Sequence, residues 1–296
     1  MISKRVLLLL WFQFSSLLTT LPAHARIVVG QDTQLFLYNA GFGCFSAGIG
    51  SIISKQPHTS FKKRLLKSCM AGLLGGSLEY AGKKANYLIN ANNNLAYALP
   101  ARLVNNAGYS MVENGALGRP IFSHWCFYYN FIRFDYSVPE NSFKARLLPW
   151  TIYGYAFCKQ ISSATFDLNG TLLTGDLAFK SHGFFYIGGE VYAGENYGHA
   201  FVYTDDYNKY HYIAHELTHE FQFHDLQVCN TFFEPLWHNR TKTRIYKLLD
   251  KYVYADFSYF LLAYNINSQL NYGQSYYSNF FEFEAERFAS NAYVPR

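Results

Sequence analysis

Residues 33–54 form a run of 22 side chains without one charge, in which Gly41, Gly43, Gly48 and Gly50 recur. So long an uncharged run has to be buried, and glycines along it let a second backbone approach closely because no side chain intervenes. A partner follows at once. Lys62, Lys63, Arg64 and Lys67 open a basic segment, after which residues 69–78 are again small and apolar. Together the two runs predict an N-terminal small-residue helical hairpin. The first is long enough to cross a bilayer and has basic residues beside it. Asn39 and several serines dilute it, however, and the second run is too short to span. The expectation is a buried hairpin in a soluble or membrane-apposed domain.

Residues 1–25 read as an export signal. Lys4 and Arg5 precede an apolar stretch reaching Leu21, and Ala23 and Ala25 stand where a signal peptidase requires small residues. An uncleaved anchor is the alternative, and either reading places the bulk of the chain outside the cytoplasm. The expected location is exported, periplasmic or extracellular, with membrane association in addition. In that oxidising setting Cys44, Cys69, Cys126, Cys158 and Cys229 either form two disulfides and leave one thiol or serve as small core residues. They contain no Cys-x-x-Cys pair, so neither a thiolate zinc knuckle nor a thioredoxin-type site has support. Net charge is +5, falling to +3 without Lys4 and Arg5, and it is scattered; no nucleic-acid partner is expected. With aromatic residues at 19% and charged ones at 15%, long disorder is excluded.

After the leader, the texture of the chain predicts an α+β protein in three stretches: a mainly helical apolar region over 26–120, an antiparallel β region over 121–204, and a helical region over 205–296. Within the β region, Asn169-Gly170 between two strand-like runs predicts a hairpin, and Gly188-Gly189 a turn. Helices are expected over 210–227, entered through Asp205 or Asp206, over 241–265 and over 278–291. Residues 198–204 could be an edge strand that holds an extended peptide.

Chemistry concentrates in His215-Glu216-Leu217-Thr218-His219. Residues four apart on a helix share a face, so both imidazoles can reach one metal ion while Glu216 addresses water beside it. Metal-assisted hydrolysis needs that combination: zinc acidifies water, and a carboxylate takes the proton. Two imidazoles leave a catalytic zinc site one ligand short. His224 lies nine helical steps from His215, on the far side, and is expected at the surface or supporting a ligand. Glu282, Glu284 and Glu286 fall within five positions near the C-terminus; Glu282 and Glu286 share a face and Glu284 points elsewhere. A solvated acidic helix face would look the same.

The His-Glu-x-x-His pair with the later Glu282-Phe283-Glu284-Ala285-Glu286 resembles the signature of the gluzincin metallopeptidases, most closely the CAAX-prenyl-endopeptidase-like branch. The resemblance implies a Zn2+ site with His215, His219 and Glu282 as ligands and Glu216 as general base. Glu286 stands where that branch has Asp, in a residue that steadies a ligand. It also implies a helical zinc-peptidase subdomain, here expected to pack on the central antiparallel β region, and a peptide or protein substrate. An oxyanion donor would come from His199, Tyr212, His238 or Arg287. The expected function is thus an exported zinc-dependent metallopeptidase. A reading from another class is a non-catalytic envelope or membrane-associated protein with a structural metal site or none.

Overall fold

The computed structural model describes residues 30–54, 60–161, 163–187, 190–226, 230–231, 233, 243–259 and 279–295. The expected export signal lies outside them, as do Gly188-Gly189, Cys229 and His238.

The N-terminal hairpin is made by α1 (Gln31–Ile53) and α2 (Phe61–Ala85). Glycine governs how closely they pack. A Cβ on Gly43 would collide with the carbonyl oxygen of Gly72, and one on Gly76 with that of Asn39. Cys44 and Cys69 form a disulfide between the two helices, while Cys126 and Cys158 are buried thiols, so one bridge is present among the described cysteines. The loop it closes is short, and constraining it in the unfolded chain is worth about 3 kcal/mol. α1 is long and apolar enough to cross a membrane, and half of its most apolar window is buried within the protein. A short α3 (Tyr87–Asn92) leads to α4 (Ala98–Ala116), which packs along α2 where Gly75 and Gly108 meet backbone to backbone.

The middle of the chain is mixed rather than purely antiparallel. β1 (His124–Tyr129), β2 (Ile132–Ser137) and β3 (Ser142–Leu147) form an antiparallel meander, and Asn130 and Asn141 supply the left-handed residues at its two turns. α5 (Pro149–Gln160) and β4 (Ala164–Phe166) follow. The Asn169-Gly170 pair then lies inside a helix, α6 (Leu168–Thr174), instead of a hairpin. Packing overrides the turn signal. A Cβ on Gly170 would press on Asp167 and Ala178, so the glycine serves close approach to β5 (Leu177–Ser181).

β6 (Phe185–Ile187) and β7 (Glu190–Tyr192) pair with each other, and β8 (Gly194–Asn196) and β9 (Ala200–Thr204) join the second sheet, whose order is β4-β5-β9-β8. Its β5–β9 pair is parallel, Leu177 opposite Ala200. β9 is therefore an inner strand and every residue of it is buried, which corrects the expectation that 198–204 is an edge. A strand reading Ala-Phe-Val-Tyr-Thr has no polar face to offer water. Among the described strands the edge beside it belongs to β8.

α7 (Lys209–Asp225) runs through the centre, buried along most of its length. Asn208 precedes it, donating its N–H to Asp206 Oδ1 at 2.7 Å. α8 (Arg244–Tyr252) is shorter than the helix expected over 241–265, because Tyr254 N–H donates to Leu147 O and the chain turns extended along β3. α9 (Phe280–Ser290) is capped by Asn279, whose side chain accepts from Phe281 N–H.

Candidate metal centre

Two helices build the site. On α7, His215 and His219 are one turn apart; α9 packs across that turn and brings in Glu282. Apolar residues set the contact, since Phe283 and Phe288 are buried with Leu35 of α1, and Ile213, Ala214 and Leu217 anchor the inner side of α7. The acidic face of α9 is thereby turned onto the histidines instead of water.

Three donor atoms converge. His215 Nε2 lies 3.2 Å from Glu282 Oε2, His219 Nε2 lies 3.4 Å from the same oxygen, and the two Nε2 atoms are 3.1 Å apart. A tetrahedral ion with bonds of about 2.0–2.1 Å holds its ligand atoms about 3–4 Å from one another. The donor set of two imidazoles and a carboxylate therefore fits a zinc-sized cation. As hydrogen bonds alone the triangle is unsatisfactory, because two ring nitrogens that face one oxygen and each other cannot share the available protons well.

The charges of the three groups are coupled. Burial opposes charge on His215, yet hydrogen bonds to Glu282 and Glu286 overcome it and push the imidazole up to about 10. His219 is raised against the same burial, chiefly by Glu282. Burial would raise Glu282, but the two imidazoles hold it well below the ordinary carboxylate range. Without a metal the imidazoles supply the positive charge that the carboxylate faces, and a metal bound there would replace their protons.

Glu216 lies against β8, near enough to His215, His219 and Glu282 to feel their charge. It is buried, burial raises its pKa against the pull of His215 and His219, and its Oε2 has no hydrogen-bond partner. A Cβ on Gly194 would collide with Glu216 Oε1, so the carboxylate occupies space that only glycine leaves. Asn196 ties strand to helix by donating to the carbonyl of Glu216 at 2.9 Å. Next to Gly194, Glu195 is half-buried, and burial with Glu216 and Glu282 nearby pushes it up to about 8.

The chain matches no family model, no curated protein and no solved structure.

Glu286 lies beside the centre: its Oε2 is 3.2 Å from His211 Nε2 and 3.7 Å from His215 Nδ1. Against the effect of burial, those imidazoles draw it down to about 2. His224 is neither exposed nor near the donors. It is packed against Tyr109, Tyr128 and Phe221, and burial among cationic neighbours drives its pKa well down. Nine steps along an unbroken helix put it in the core behind α7. Of the oxyanion candidates, His199 is held in a second cluster, Arg287 pairs with Asp32 at 2.8 Å, and Tyr212 packs on the apolar side of α7.

Sequence reasoning passed over that second cluster. Asp176, His199 and Glu220 gather behind α7, with Arg102 of α4 paired to Asp176. Glu220 stands one turn after Glu216, and this was the one signal available. Gly194 and Gln222 were also missed; neither carries charge.

Proposed function

We propose that this chain is an exported zinc-dependent metallopeptidase of gluzincin type, in which His215, His219 and Glu282 hold the metal and Glu216 is the general base. The observation that carries the reading is the triangle of donor atoms, 3.1 to 3.4 Å on a side, drawn from residues as far as 67 positions apart in the chain. Zinc held there would supply an electrophile that acidifies water and polarises a carbonyl. The chain supplies the rest. Glu216 Oε2, buried and without a partner, accepts the proton from the attacking water. β8, at the sheet edge beside Glu216, offers backbone donors and acceptors to an extended peptide or protein substrate. Buried walls around the carboxylate exclude bulk water, which strengthens each charge interaction.

Membrane association belongs to the same proposal. Leu66, Met70, Leu73 and Leu74 form an exposed apolar stripe on α2, and the exposed Lys62, Lys63 and Lys67 stand at its start. That pairing suits an anionic bilayer surface.

The test of the enzyme is Glu216→Gln. Assayed on a peptide library, the unaltered chain should cleave and lose cleavage on metal removal. Glu216→Gln should cut the rate about 10²–10⁴-fold while keeping one zinc per chain. Undiminished turnover by that variant would remove Glu216 as the base, and no cleavage by the unaltered chain would return it to a non-catalytic envelope protein.

A further inference from the structure

His219 can bind a metal through Nε2 only if its proton sits on Nδ1. The group facing Nδ1 is Gln222, whose Oε1 lies 2.8 Å away. Its Nε2 donates to the carbonyl oxygen of Phe281 at 2.9 Å and to Glu284 Oε2 at 2.9 Å. Glu284 in turn accepts from Lys83 Nζ at 3.1 Å and from Asn39 Nδ2 at 2.8 Å. Lys83 also pairs with Asp225 and donates to Asn39 Oδ1 at 2.9 Å. Gln222, Glu284, Lys83, Asn39 and Asp225 are all buried.

The orientation of the Gln222 amide is therefore decided from behind. Turning it over would set its oxygen against a carbonyl and a carboxylate, three acceptors with no hydrogen among them. With the NH2 committed to those two acceptors, the amide oxygen must face His219, and Nδ1 must carry the hydrogen. We infer that Gln222 is a positioning residue that imposes the Nδ1–H tautomer on His219, and that the buried Lys83–Glu284 ion pair imposes the orientation of Gln222. The inference rests on the metal reading for its purpose, although the tautomer itself exists with or without a metal. It gives Glu284, which points away from the donor triangle, a role of its own.

The experiment uses the full chain. Zinc affinity is measured by competition with a chromophoric chelator, and the His219 tautomer is read from long-range 1H–15N spectra. Gln222→Leu should weaken zinc binding about 10–100-fold, as loss of a ligand's outer hydrogen-bond partner does. Gln222→Glu should weaken it too, by setting one carboxylate against another. The double variant Gln222→Glu/Glu284→Gln re-creates an acceptor for His219 and a donor behind it, and should regain most of the loss. Mere damage to packing would not be repaired by that exchange. Zinc bound by Gln222→Leu as tightly as by the unaltered chain, or an Nε2–H signal on His219 in the unaltered chain, overturns the inference. If the unaltered chain takes up no zinc, the metal reading fails on its own. Spectra of the metal-free protein, taken above the titration of His219, then decide the relay: Nδ1–H supports it and Nε2–H overturns it.

Discussion

Two clusters of histidine and carboxylate flank α7, and they differ in what balances their charge. On the α9 side, two imidazole nitrogens and one carboxylate oxygen face a common point. On the opposite side, Asp176 and Glu220 both address a single nitrogen, His199 Nδ1, at 3.3 and 2.6 Å, and Arg102 is paired to Asp176 with no exposure of either side chain. Two carboxylates, a guanidinium and a protonated imidazole make an electrically neutral set. Burial disfavours charge on His199, yet Glu220 and Asp176 outweigh it and push the imidazole up to about 9. The residue types alone would nominate both clusters as metal sites. Direction of the donor atoms and the built-in guanidinium separate them: on the proposed reading the first holds the metal, and the second is an ion-pair network that fastens β8 and β9 to α7.

The fastening can be followed in detail. His199 has φ +52 and follows Gly198 at +67, two left-handed residues in succession at the turn from β8 to β9. A histidine there is strained. Its N–H donates to Glu220 Oε2 at 2.7 Å, and its carbonyl accepts from Leu177 N–H at 2.9 Å, which holds the turn. β8 is in this way held beside Glu216.

The sharpest way to break the comparison is metal stoichiometry. His215→Ala or Glu282→Ala should lose the bound zinc, whereas Asp176→Asn should keep it at one per chain; equilibrium dialysis with metal analysis decides, and zinc lost through Asp176→Asn would make the second cluster the metal site. Next in size is Arg102→Met, which leaves Asp176 buried without its guanidinium and should cost about 3–5 kcal/mol of unfolding free energy, read from denaturant melts, with zinc stoichiometry unchanged.

pH tests the same network. A folded-state pKa near 9 lies above the ordinary histidine value of about 6.5, so the stabilisation is complete below about pH 6.5 and is lost as pH rises through 9. It amounts to about 3 kcal/mol at most. Stability measured at pH 6 and pH 10 should therefore fall less in His199→Gln than in the unaltered chain; equal falls would show His199 uncharged throughout. The smallest effect is expected from Gly194→Ala. It should displace the Glu216 carboxylate and lower turnover by up to about 100-fold with zinc affinity intact, and an unchanged rate would mean that β8 yields.

Legibility of the fold in the sequence followed the range of the forces involved. Local periodicity was enough for α7 and α9, because residues three and four apart share a face wherever a helix forms. Glycine spacing likewise foretold the α1–α2 hairpin, since helix backbones can touch only where side chains are missing. Asn169-Gly170 misled, for a local turn preference of order 1 kcal/mol yields to packing against β5. The parallel β5–β9 pairing and the burial of His224 depend on contacts between distant segments, to which no short window is sensitive.

By itself the chain specified the parts of the site: two imidazoles on one helix face, a carboxylate beside them, and an acidic helix far downstream. These follow from 3.6 residues per turn and need no neighbour. Only the tertiary structure decided that Glu282 faces both Nε2 atoms while Glu286 lies beside them, that Glu284 turns inward to Lys83, and that a second set of the same residue types carries its own cation. Pairing between buried charges falls off within a few ångströms, and distances of that kind exist only after the helices have packed.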